Sequence, residues 1–189
     1  MNNKSVSTAT IGFMSWALGG WMVSMPTAGW FERTYPHGFA NLSALAILLV
    51  IMGILASLRG RALDSIIFFG GAGLFWGSYN FQLTAGAGGV QEPGSYAGWY
   101  FFVWTLFFAW VWLGSFRAEV QRMLFLLGLW LTLLALAIGA WTSIRGFTVL
   151  GGYLGLATSI LAAITSALEV IMHGRAGRPN EDGGAVRPA

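Results

Sequence analysis

Inside its apolar stretches this chain offers hydroxyls, amides and indoles, and almost nothing that ionises. Ser15, Ser24, Ser78, Asn80, Thr105, Thr132, Thr158 and Ser159 lie midway along hydrophobic runs, as do Trp16, Trp76 and Trp130. Glu169 is the one carboxylate within such a run, near its polar end, where it can snorkel in a structural or interfacial role. His37 and His173 stand at the edges of runs. There is no acid pair for general acid–base work, no His cluster with metal-ligand spacing and no phosphate-cradling loop with its Lys. With no Cys, thiolate nucleophiles and thiolate metal sites are excluded too. What remains is the chemistry of solvation, in which hydroxyls replace part of a solute's water and rings narrow its path. The sequence points away from an enzyme and calls for no cofactor or metal.

The elements that must position these residues are membrane helices. Of 189 residues, 56% are hydrophobic and 9% charged, where an ordinary soluble domain has about a quarter charged. With 10 Trp and 14 Phe, so few charges could not cover a soluble core. The net charge of +3 comes mainly from loops and tail and reads as topology, not as nucleic-acid binding. Residues 1–9 hold one Lys and no apolar run followed by a cleavage site, so the first hydrophobic segment is expected to persist.

Runs of roughly 20 apolar residues predict an all-α membrane protein with six spans, at 9–28, 39–58, 65–84, 96–116, 120–141 and 147–172. They form one transmembrane domain over 9–172, with a cytoplasmic segment at 1–8 and a disordered tail at 173–189. Asn41-Leu42-Ser43 matches a glycosylation pattern but reads as capping at a helix start. Six spans place both termini on one side. There lie Lys4, Arg59, Arg61, Arg117, Arg122, Arg175, Arg178 and Arg187, with Arg33 and Arg145 on the other. Eight against two predicts that both termini are cytoplasmic, in an inner (plasma) membrane.

The central stretch is 65–81, SIIFFGGAGLFWGSYNF. Its interior glycines would each cost about 1 kcal/mol in a soluble helix. In a bilayer, small residues let helices approach closely, and Gly73 with Gly77 makes such a face. Trp21, Trp30, Trp99, Trp110, Trp112 and Trp141 fall near helix ends, as interfacial belts do. Trp16, Trp76 and Trp130 lie halfway along alternate helices, where an indole N–H needs a partner. Matching depth suggests a lined constriction; filling of the bundle core is the alternative.

The chain resembles the acetate uptake transporter family, of the succinate–acetate permease type. The likeness is carried by 70–78 (GGAGLFWGS), 98–114 (GWYFFVWTLFFAWVWLG), 129–139 (LWLTLLALAIG), and 151–155 (GGYLG) with Glu169. Ala28-Gly29-Trp30-Phe31 resembles the end of the family's first helix, and the order of all six spans agrees. The family's opening Asn-Pro-Ala-Pro-Leu-Gly-Leu reads here Ser7-Thr8-Ala9-Thr10-Ile11-Gly12-Phe13, without either proline. The family's constriction of Phe, Tyr and Leu falls on Trp16, Ala72 and Leu129; a Gln of its second helix falls on Leu49, and an Asn of its first on Ser24. The resemblance implies a homohexamer in which each protomer has its own pore for acetate and related small monocarboxylates, sometimes succinate. Trp16, Ala72, Phe75, Trp76 and Leu129 would form the constriction. Ser7, Thr8 and Thr10 would stand at its inner mouth, with Ser24 and Thr132 as polar lining. Two other readings stay open: a channel for a small neutral solute such as ammonia, and a non-conducting scaffold or sensor whose path Trp16 and Trp130 fill.

Overall fold

The computed structural model describes residues 7–31, 36–86 and 94–176, and their side chains other than those at 36–40, 81–86, 94 and 173–176. Over these residues the chain forms α1 (Thr8–Thr27), α2 (Pro36–Leu58), α3 (Ala62–Gly86), α4 (Gly94–Gly114), α5 (Val120–Thr142) and α6 (Arg145–Ala176). A short 3-10 turn, Ser115–Arg117, joins α4 to α5. Four of the described helical segments are long and apolar enough to cross a membrane: Asn41–Leu58, Ser95–Arg117, Val120–Thr142 and Arg145–Met172. The chain is a multi-pass membrane protein.

Helix ends follow from local chemistry. Ser7 caps α1, its Oγ accepting from the Ala9 N–H at 3.3 Å. At the other end Gly29 takes φ +85°, and the Trp30 N–H reaches back to the Met25 carbonyl at 3.1 Å, closing a Schellman turn. Pro26 therefore sits in the last turn of α1 instead of ending it. Gly60 does for α2 what Gly29 does for α1: its φ is +71°, and Arg61 N–H bonds the Ala56 carbonyl at 2.9 Å. α2 starts at Pro36, which needs no N–H partner at a helix start. Asn41 consequently lies in the second turn, exposed, and caps nothing. α6 continues past the expected end at 172 to Ala176. The remaining tail and the loop bearing Glu92 lie outside the described residues, as do residues 1–6 and the side chains of His37 and His173.

α1 packs mainly on α2 and α6, α2 on α3, α4 on α5, and α5 on α6. The backbones of α3 and α4 touch little, and rings fill the space between them. Phe107 and Phe108 meet α3 at Gly70, Trp104 at Gly73 and Tyr100 at Gly77, in antiparallel order. The Gly73 and Gly77 face, expected to bring two backbones together, instead receives aromatic knobs. α1 and α3 interlock similarly, running parallel: Phe68 against Gly12, Trp16 against Gly71, Phe75 against Gly19. Each helix presents ring and glycine alternately at spacings of three and four, which keeps them on one face.

A methyl group on Gly71 would stand 2.5 Å from Trp16 Cε2 and Cζ2, whereas one on Gly114 would meet nothing within 4 Å. Overpacking of this kind costs about 1–3 kcal/mol. Gly71→Ala should therefore lower the thermal unfolding temperature in detergent, and Gly114→Ala should leave it close to wild type.

Candidate functional site

Beyond the interlocked rings of α1 and α3 the interior holds open space. A cavity of about 60 Å³ lies between α1, α3, α5 and α6, enough for a few waters at about 10–15 Å³ each or for one small solute. Gly20, Gly151, Gly152 and Gly155 border it and let neighbouring helices approach closely, since an added methyl would meet Ser159, Leu136, the Ala28 backbone or Ser24 within 2.7 Å. Leu129, Leu133 and Leu136 supply an apolar wall. Trp16, Phe75 and Phe125 close one end. At the other end Thr27 borders both this cavity and a wider vestibule of about 530 Å³, lined by Trp30, Phe31, Thr148 and Arg145.

The hydroxyls of the wall have a definite polarity. Thr132 donates to the Gly128 carbonyl at 2.7 Å, Thr158 to Leu154 at 2.8 Å and Ser159 to Gly155 at 2.8 Å, each one turn back on its own helix. A carbonyl oxygen can only accept, so these protons are spent, and what the three groups keep for a solute is lone pairs. The Trp16 indole N–H is likewise engaged, by the Ile67 carbonyl at 3.3 Å. Ser15, Ser78, Asn80 and Thr105 bond one turn back in the same way.

Of the residues expected from sequence, Trp16, Phe75, Leu129, Ser24 and Thr132 come together around this cavity. Ala72 is 5% exposed and buried in the core, off the cavity wall. Trp76 is 49% exposed and packs on Tyr79 at the outer surface; one residue past Phe75 is about 100° round the helix. Trp130 turns toward α4, with ring centroid 5.9 Å from that of Trp112, so it does not pair with Trp16. Its indole N–H has no hydrogen-bond partner among the described residues. Leu49 is fully buried.

Below the cavity the rings continue. Phe125 meets Trp16 at 5.4 Å between centroids and Phe13 at 5.5 Å, and Phe13 meets Phe68 at 5.4 Å, all edge-on. Arg122 lies over the Phe13 ring at 5.9 Å. It opens a charge cluster that sequence reasoning did not assemble. Arg122 pairs with Glu169 through Nη2, with Asp64 at 3.2 Å and with Glu119 at 3.2 Å. Arg61 pairs with Asp64 at 2.7 Å and with Glu169 at 3.1 Å. Burial pushes the Asp64 carboxyl, ahead of the 65–84 span, above its ordinary range, and Arg122 and Arg61 offset part of that.

Glu169 is 2% exposed, so it does not snorkel to solvent; the guanidiniums come to it. Ser7 donates to Glu169 at 3.3 Å and accepts from Arg61 at 3.1 Å, and Thr8 accepts from Arg59 at 3.3 Å. Ser7 and Thr8 thus belong to a closed, ion-paired end of the bundle rather than an open mouth. Thr10 keeps a buried Oγ1 with no partner among the described residues.

The architecture is similar to that of a solved structure, described as that of the bacterial acetate channel SatP. The TM-score is 0.83 at 18% sequence identity, covering 92% of this chain and 97% of that one. At that identity the likeness establishes a shared fold. No protein-family model matches the sequence, and no curated protein matches it.

Arg122 has a side chain 10% exposed and holds two carboxylates that are 5% and 3% exposed. Taking one partner from a buried pair costs about 3–5 kcal/mol, since the other charge is left unmatched. Arg122→Met should therefore destabilise the detergent-solubilised protein by that order in denaturant titrations. Arg59→Met, at an exposed residue whose partner is the neutral Thr8 hydroxyl, should change it by far less, about 1 kcal/mol.

Proposed function

We propose that this chain is a divergent member of the acetate uptake transporter family. In this reading it is a channel or transporter that carries acetate and similar small monocarboxylates through a narrow pore in each protomer. The observation that carries the reading is the cavity itself. It lies between the helices of a fold shared with an acetate channel, fits a solute of a few heavy atoms, and is walled by rings, leucines and hydroxyls. Six spans, cytoplasmic termini and an inner-membrane location belong to the same proposal, supported by the eight-to-two distribution of Lys and Arg. So does assembly as a homohexamer. The α3 glycines are filled by rings of the same chain, so the surface that favours assembly is the exposed row Trp99, Val103, Leu106 and Trp110 on one face of α4. The activity is passage, not catalysis.

The wall chemistry says how a carboxylic solute crosses. An ionised carboxylate needs donors or a cation, and in their absence a buried charge neutralises instead. The cavity wall offers no charged side chain, and all of its hydroxyls except that of Ser24 give their protons to backbone carbonyls and keep lone pairs for a solute. A monocarboxylate passes as the uncharged acid, its O–H given to a threonine or serine oxygen and its short alkyl end against Leu129 and Leu133. A dicarboxylate would have two charges to neutralise. The same acceptor wall favours a second reading, a small neutral donor such as ammonia.

Labelled acetate uptake into liposomes holding the purified protein, with and without a pH gradient, tests the proposal. Saturable uptake above that of empty liposomes is expected. Leu129→Ala should widen the cavity and admit longer monocarboxylates such as butyrate, and Leu129→Trp should cut acetate uptake several-fold. If correctly assembled wild-type protein gave no acetate uptake but passed ammonia, the neutral-solute reading would replace this one. If it passed neither, the closed-scaffold reading would.

A further inference from the structure

Glu169 is a buried carboxylate gripped by two guanidiniums, at the end of the bundle that the rings close. The Arg61 and Arg122 Nη2 groups both reach its Oε1, and the Ser7 hydroxyl donates to Oε2. Three donors from the start of α1, the α2–α3 turn and the first turn of α5 converge on one carboxylate supplied by α6. That is the coordination a carboxylic solute would need, and the cavity wall lacks it. We propose that the Arg61–Arg122 pair is a second carboxylate-binding site at the closed end of the pathway. In this structure Glu169 fills it as an internal stand-in for the solute. A monocarboxylate passing this end and Glu169 compete for the same two guanidiniums.

Charge balance supports a monocarboxylate as the ligand. Arg61 and Arg122 face Asp64 and Glu169, two cations against two anions, with Glu119 reaching Arg122 from the exposed side. Taking Glu169 away leaves Asp64 as the one buried carboxylate facing two guanidiniums, Glu119 being half exposed, and one carboxylate restores the buried pairing. Position supports it as well: Arg122 lies over Phe13, Phe13 packs on Phe125, and Phe125 lines the cavity. The rings of Phe13 and Phe125 lie between the site and the cavity.

The inference rests on the transport reading for its role, but the site can be tested without transport. Glu169→Ala removes the internal carboxylate and leaves space for an external one. Thermal unfolding of the purified variant should fall below wild type, and sodium acetate should restore more than half of the loss in a saturable way. Equal concentrations of sodium chloride or acetamide should restore none, and acetate should shift wild type far less than the variant. Equal effects of acetate and chloride on the variant would overturn the site.

Should E169A not fold, E169Q keeps the shape while dropping the charge. Its acetate flux in liposomes should exceed wild type several-fold, because the competing carboxylate is gone; flux at or below wild type would overturn the competition. Absence of acetate flux from wild type and E169Q alike would sink the transport reading, and the rescue experiment would then decide the site alone.

Discussion

The Trp16 indole lying on the bare backbone of α3 at Gly71 is the contact that the interior is arranged around. In a bilayer, helices gain no hydrophobic free energy by leaving lipid for one another, so shape and hydrogen bonding must hold the bundle together. Trp16 uses both: its ring fills the notch at Gly71 and its N–H is met by the Ile67 carbonyl. Phe75, Phe108 and Phe125 pack against it with centroids 5.0–5.8 Å away, in tilted or edge-on pairs worth about 0.5–1.5 kcal/mol each beyond their burial. The position of the cavity follows. The rings run continuously on one side of Trp16, and on the other side the cavity opens between α1, α3, α5 and α6.

Charge is distributed along the same axis in a way that burial costs demand. The vestibule end carries Arg145, the opposite end carries the Arg61, Asp64, Arg122 and Glu169 cluster, and the cavity between has no ionisable side chain. A single unpaired charge in that middle would cost several kcal/mol, so its polarity comes from hydroxyls, most of whose protons return to their own helices. The cluster can lie deep because each buried carboxylate is met by two guanidiniums. Its pairs cross from α3 to α5 and from α5 to α6, so they also hold fixed the end of the bundle where three helices begin.

Much of this was legible in the sequence, unevenly and for physical reasons. The helices were, because long apolar runs and glycine-marked turns are local signals; Gly29 and Gly60 end helices by their own backbone angles. Trp16, Phe75, Leu129, Ser24 and Thr132 could be gathered, because polar or aromatic residues stand out in an apolar helix and the resemblance aligned them. Which side of α3 faces inward was not, since that helix is apolar nearly all round and no polar stripe fixes its rotation. That is why Phe75 and Trp76 were grouped when only Phe75 reaches the cavity. The glycines were seen, but a small residue leaves room for a backbone or a ring alike, and only tertiary packing decides between them. The charge cluster joins residues more than 100 positions apart, such as Arg61 and Glu169; in sequence these were topological charges and a snorkelling acid.

The aromatic floor and the ion-paired cluster act in series, and Phe13 couples them. Its ring touches Phe68 and Phe125 on one side and carries the Arg122 guanidinium on the other. At 0% exposure it has no free space to rotate into while its neighbours stay in place. On the proposed transport reading, a path through this end would require the ring to leave its position between Phe68 and Phe125. That motion would uncover the face on which Arg122 rests, and Arg122 holds Asp64 of α3 and Glu169 of α6 at once. Parting the rings would therefore disturb the ion pairs that join α3, α5 and α6.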